Sequence, residues 1–96
     1  MSPERFLVSC SKAKKAEFRR VTEEARADGR FEMAVKAGEW VLEELARTPM
    51  EFGESRGELL HLELQLRFAY VRPIAMQFAV HEPSRKVFIR SFRYRP

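Results

Sequence analysis

From Glu58 to Tyr70 the chain places an apolar residue at every second position: Leu60, Leu62, Leu64, Leu66, Phe68 and Tyr70. His61, Glu63, Gln65, Arg67 and Ala69 fall between them. This is the period of a β-strand and not of a helix. A strand so patterned has one greasy side and one polar side, and a sheet built on it must cover the greasy side. In a chain of 96 residues only its own helices can supply the cover. The polar side is therefore expected to stay open and to carry the function. The strand is expected to run from about Glu58 to Val71, with a bend or bulge on account of its length.

The flanking segments supply the helices. Arg5 to Cys10 reads as a short first strand with Phe6, Val8 and Cys10 on one side, and Ser11 can cap the helix after it. Lys12 to Ala27 consists of good helix formers, with Ala13, Phe18, Val21 and Ala25 along one stripe. Its basic residues, among them Lys12, Lys14 and Arg19, read as a solvated face. Asp28-Gly29 is a helix stop. Arg30 to Arg47 repeats apolar residues at helical spacing, with Gly38 inside the stripe as a contact point and Met33, Ala37 and Trp40 as a second stripe facing the sheet. Thr48-Pro49 ends it, and Met50 to Gly57 reads as a loop.

After the long strand, Arg72-Pro73 interrupts the pattern. Ile74, Met76, Phe78 and Val80 then alternate with Ala75, Gln77 and Ala79, His81 to Arg85 reads as a turn, and a last strand runs from about Lys86 to Arg95 with neither side purely apolar. The expected architecture is one α+β domain over residues 1–96. Two antiparallel helices pack on one face of a small, mainly antiparallel sheet in the order β-α-α-β-β-β.

Charge is mildly basic overall, with 18 Lys and Arg against 14 Asp and Glu, which leans toward anionic partners. The distribution is more informative. From Arg85 onward Arg85, Lys86, Arg90, Arg93 and Arg95 face no acid in sequence, whereas Glu43, Glu44, Glu51, Glu54, Glu58 and Glu63 crowd the middle. A basic terminal strand also protects a sheet edge. The lone Cys10 fits a reducing cytoplasm, and no run approaches the roughly 18 apolar residues of a membrane span. A cytoplasmic protein with no membrane association is the expectation.

Several chemistries lack the residues they need. His61, His81 and Cys10 do not form a metal-ligand set, so no metal site is expected. The glycines never cluster into a phosphate loop, and no other cofactor is implied. What remains is the binding or metal-free cleavage of a phosphodiester, which needs a base for the 2'-hydroxyl, cations for the developing charge and an acid for the leaving oxygen. Glu58, Arg67, Arg72, Arg93, Tyr94 and Arg95 supply these groups if the strand ends converge, with His61 and Arg90 as further RNA contacts. Four of them also have a plain reading: Glu58 as an edge charge, Arg67 as a cross-strand partner of an acid, His61 as an exposed histidine, and Tyr94 as a ring closing the core. A plain single-stranded RNA-binding domain ranks last, because the polar side of the long strand offers no aromatic platform.

The element order, the Leu45-Ala46-Arg47-Thr48-Pro49 helix end, the Gly53-Glu54-Ser55-Arg56 segment, Arg72-Pro73-Ile74 and the ending Ile89-Arg90-Ser91-Phe92-Arg93-Tyr94-Arg95 together resemble the RelE/ParE superfamily of bacterial toxins. The resemblance covers the whole chain in architecture. It implies the toxin of a type II toxin–antitoxin system, held inactive by a cognate antitoxin. One branch of that superfamily cuts mRNA on the ribosome and another poisons DNA gyrase. For the nuclease branch the resemblance implies Glu58 as general base, Arg72, Arg93 and Arg95 as phosphate-binding groups, and Tyr94 as orienting or protonating group. Arg95 stands where that branch has histidine and is a poor proton donor, which moves the acid role to Tyr94 or removes it. The branch's arginine on the third strand falls at Ala75, leaving Arg72 as a displaced substitute. The implied chemistry is a ribosome-dependent mRNA endoribonuclease. The alternative is a gyrase inhibitor or a non-catalytic protein-binding module.

Overall fold

The structure, a computed structural model, describes residues 5–96. β1 (Leu7–Ser9) leads into Ser11, whose side chain accepts the Lys14 backbone N–H and starts α1 (Lys12–Ala27). Gly29, at φ 73°, takes the left-handed turn that ends α1. α2 (Phe31–Arg47) begins at once. Both helices and the stop between them fall where the periodicity put them. A Cβ on Gly38 would lie 2.4 Å from Cζ of Phe18, so the glycine in the α2 stripe is where α1 comes closest.

The remaining strands are β2 (Glu54–Leu59), β3 (Leu64–Val71), β4 (Ile74–His81) and β5 (Lys86–Tyr94). With β1 they form one five-stranded sheet in the order β1-β5-β4-β3-β2. β1 lies parallel to β5 and every other pair is antiparallel. The α+β class holds, and the sheet is mixed.

The single long strand expected from Glu58 to Val71 does not exist. Leu60–Leu62 form one 3₁₀ turn, and Glu63 at φ 53° reverses the chain. The alternating run is thus a hairpin in which Glu58 pairs with Gln65. Leu60 and Leu62, expected under the helices, are 78% and 50% exposed. The segment expected to be a loop, Met50 to Gly57, already contains the larger part of β2, from Glu54 to Gly57.

The facing of β3 is also inverted. Gln65, Arg67, Ala69 and Val71 pair with Val80, Phe78, Met76 and Ile74, and cross-strand partners share a face. Ile74, Met76, Phe78, Val80, Val87, Ile89 and Phe92 form the core with Val21, Ala37, Val41 and Leu45 of the helices. The side expected to be polar and open is therefore the covered side. Arg67 shows the physical reason. Its guanidinium, 8% exposed, donates Nε to the Phe52 carbonyl at 3.0 Å, one terminal nitrogen to the Gly53 carbonyl at 3.1 Å and the other to Gln65 Oε1 at 2.9 Å. A buried arginine so satisfied ties the segment before β2 to the sheet, and Phe52 in turn stacks on Phe78 and meets the edge of Trp40. Of the second stripe of α2 only Ala37 enters the core, while Met33 and Trp40 stay about half exposed.

The last strand contains the irregularity that hid its facing. Val87 and Ile89 pair with Val80 and Phe78, and Phe92 and Tyr94 with Met76 and Ile74, with Arg90 as the extra residue of a bulge between them. Among the described residues, the outer edge of β5 has no strand neighbour beyond the Ser9 pairing. There α1 lies alongside, and Glu17 Oε1 accepts the Phe92 N–H at 2.9 Å. Lys14 bonds the same carboxylate at 2.6 Å. These two contacts, the lysine first, hold the Glu17 carboxyl below the usual carboxylate range.

Candidate nucleic-acid interface

The uncovered face of the sheet is built in rows. Tyr70, Ala75 and Arg93 form one, and Glu54, Phe68, Gln77 and Ser91 the next. Leu66, Ala79 and Phe88 come after, and Leu59, Leu64, His81 and Lys86 close the face. β3 thus presents a ridge of large apolar side chains, β5 a ridge of Phe88, Ser91 and basic residues, and β4 a low floor between them. Neighbouring strands lie about 4.8 Å apart, so the ridges stand roughly 10 Å from each other.

Tyr70 and Phe88 are 49% and 39% exposed, a large aromatic surface left in water without a helix to cover it. Arg56, on the outer strand, places its guanidinium 4.9 Å from the Phe68 ring centroid and pairs with Glu54 at 2.6 Å. At the β3–β4 turn Arg72 comes directly after β3, and the Arg72-Pro73 peptide is cis. The Arg95 N–H donates to the Pro73 carbonyl at 2.6 Å and the Tyr70 hydroxyl to the Arg95 carbonyl at 2.9 Å. A hollow of about 320 Å³ lined by Phe68, Tyr70, Arg95 and Pro96 opens beside that clasp. Arg93 and Arg95 therefore lie at one end of the open face, and exposed Arg72 sits in the turn at that same end of the sheet.

Glu58 is not among them. It lies opposite Gln65 on the outer strand, and the seven positions from Gln65 to Arg72 span about 23 Å of extended chain. There it lines a groove of about 250 Å³ with Glu63 and Glu82, an anionic setting unsuited to a phosphodiester. His61 belongs to the 3₁₀ turn at the same far end. His81, also there, has Nδ1 2.6 Å from the Ser84 hydroxyl and Nε2 3.8 Å from Glu63. Tyr94 is separated in another sense. It faces the helix side, and its hydroxyl donates to Asp28 Oδ2 at 2.6 Å. Loss of water and the Asp28 bond push the phenol above its usual value, against an opposing pull from Arg30. Arg67 is buried among carbonyls and is not an RNA contact.

Of the residues expected to converge, the structure brings together Arg72, Arg93 and Arg95, with Arg90 further along the same strand. It leaves Glu58 and His61 at the opposite end, Tyr94 on the other face and Arg67 inside. The groups that sequence reasoning passed over are Tyr70, Phe68, Phe88 and Arg56, all on the open face. Phe68 and Tyr70 close the leucine alternation, whose side is read from the sequence as the covered one. Phe88 lies in a strand whose facing the periodicity leaves open, and Arg56 lies in the segment read as a loop.

Among the described residues no cluster of His, Cys, Asp and Glu could hold a metal ion, and no helix is long and apolar enough to cross a membrane. No protein-family model, curated protein or solved structure matches this chain.

Proposed function

We propose that the chain is the toxin of a type II toxin–antitoxin pair with a RelE/ParE-like fold, acting on mRNA at the ribosome in the cytoplasm, with the open sheet face as its RNA surface. The observation that carries this reading is the juxtaposition of exposed Tyr70 and Phe88 with Arg56, Arg90, Arg93 and Arg95 on one uncovered face. Aromatic rings on a sheet stack single-stranded bases, and flanking arginines track the phosphates. The side read from the sequence as open lacks rings, whereas the face that is open carries Phe68, Tyr70 and Phe88.

Cleavage on this surface is driven by charge stabilisation. As the RNA 2'-oxygen attacks the adjacent phosphate its proton passes to solvent water, the 5'-oxygen leaves and takes a proton from water, and a 2',3'-cyclic phosphate remains. Arg72, Arg93 and Arg95 neutralise the charge that builds on the phosphate oxygens along the way. Glu58 takes no part as base and Tyr94 none as acid. Induction in bacteria tests the reading. The wild-type chain should arrest growth and leave cut transcripts, visible as primer-extension stops, and Arg93→Ala combined with Arg95→Ala should abolish both. Equal growth of both strains removes the toxin reading.

A second reading is a non-catalytic protein-binding module or gyrase inhibitor. It is favoured by one observation: Leu59, Leu64 and Leu66 extend the open face in apolar form toward Leu60 and Leu62, a patch of the kind proteins bury against a partner. Growth arrest with intact transcripts and an induced DNA-damage response would favour it over the RNA reading.

A further inference from the structure

β4 is buried along nearly its whole length, on both faces. From Ile74 to Val80 only Gln77 is exposed. Its neighbours on the open face, Ala75 and Ala79, are 4% and 2% exposed although no helix covers them. The cause is the height of the flanking ridges. Tyr70 stands beside Ala75 and reaches past it to the Arg95 carbonyl, and Leu66 and Phe88 flank Ala79. The floor between the ridges is thus two methyl groups with one carboxamide between them.

Ser91, directly across from Gln77, donates its hydroxyl to Gln77 Oε1 at 3.4 Å. That contact orients the amide. Among the described residues Nε2 has no protein acceptor, so both of its protons are available to a ligand, and Oε1 keeps a second lone pair. A carboxamide contributes little to holding phosphate, which the arginines do better. What it offers is a donor and an acceptor side by side without charge, the pattern with which Gln pairs the N6 and N7 edge of adenine.

We propose that Gln77 is the specificity-determining residue of the open face, reading adenine. The base stacks on Phe88 above Ala79, where the small floor residue leaves room. Its N6 amino group donates to Gln77 Oε1 and its N7 accepts from Nε2. Cytosine and uracil have one ring to stack and lack N7. Ser91 is a positioning residue that keeps the amide turned toward the base. This inference rests on the RNA reading above.

Fluorescence anisotropy with labelled oligoadenylate, oligouridylate and oligocytidylate at one low salt concentration tests it. The wild-type chain should bind oligoadenylate about fivefold or more tightly than the other two, at the lower end of what a bidentate contact discriminates. Gln77→Leu, which keeps the size of an exposed side chain, should level the three affinities by weakening oligoadenylate alone, and Ser91→Ala should narrow the preference without erasing it. Equal wild-type affinities, a preference that survives in Gln77→Leu, or a uniform loss for all three oligonucleotides would each overturn the assignment to Gln77 while leaving RNA binding in place. If none of the three binds the wild-type chain, the RNA reading itself falls. Unchanged far-ultraviolet circular dichroism confirms that the variants are folded.

Discussion

The two faces of this sheet use arginine in opposite ways. On the covered face Arg67 is sealed in, and each of its three guanidinium nitrogens donates to a backbone carbonyl or an amide oxygen. On the open face Arg90, Arg93 and Arg95 sit in water, and among the described residues their side chains have no ion pair. One arginine holds the fold together, and the others are free to meet a partner. The same residue type in the same sheet thus separates by burial into scaffold and surface, and a sequence pattern alone does not say which is which.

Substitutions sharpen that contrast. Arg67→Ala strands the Phe52 and Gly53 carbonyls and opens a void, and is expected to destabilise the fold by about 3 kcal/mol, read as a lowered urea midpoint. Arg93→Ala should change the same midpoint by less than about 0.5 kcal/mol. Comparable losses would break the distinction between the faces. Gly53→Ala is expected to cost about 2 to 3 kcal/mol, because φ is +72° and the new Cβ would lie 2.3 Å from the Phe68 carbonyl oxygen, a backbone atom that cannot swing away.

On the open face Phe88→Ala is expected to weaken oligoadenylate binding about tenfold, the scale of one lost base stack, with a small change in stability because the ring is already half in water. A large fall in melting temperature with unchanged affinity would place Phe88 in the scaffold. Glu58→Ala should leave RNA binding and growth arrest unaltered, since that carboxylate lies at the far end of the sheet. Loss of toxicity in that variant would restore it to the active centre.

Acid provides a further separation. The Glu17 carboxyl titrates below its unfolded value. Its contribution is therefore complete above the unfolded pKa, near 4.5, and is lost as pH falls through the lower folded value. Stability of the wild-type chain should decline across that acidic window more steeply than that of Glu17→Gln, as followed by thermal melts at stepped pH. Tyr94 carries the reverse sign. Its phenol is raised above 10.0, so the stability linked to its proton is present below that value and is lost in alkali as pH climbs through the folded pKa. Tyr94→Phe should remove this slope.

The helices were legible because their signals are local. Ser11, Gly29 and the spacing of Val21, Ala25, Ala34, Val41 and Leu45 act within a few turns of chain. β4 was legible too, since Met76, Phe78 and Val80 are large where Ala75 and Ala79 are small. β3 was not, because alternation fixes which residues share a side and leaves open which side is inward. Leucines marked the wrong face. The deciding interaction, Arg67 with two carbonyls some 15 residues earlier, is tertiary. The reversal at Glu63 was hidden as well, since a glutamate occupies the left-handed position where glycine would have announced a turn. Once β3 is turned over, the candidate site changes with it. The arginine end survives, and the acid–base pair gives way to aromatic rings.

Among the described residues β1 shields only the first three residues of β5, and a bare sheet margin invites strands from other molecules. Here the Glu17 carboxylate occupies the hydrogen-bonding slot at Phe92 that an incoming strand would need. An intruder would have to evict an anion already held by Lys14 and push α1 aside. A single acidic side chain thereby discourages fibrous self-association along that border, a protection that weakens in acid as the carboxylate is neutralised.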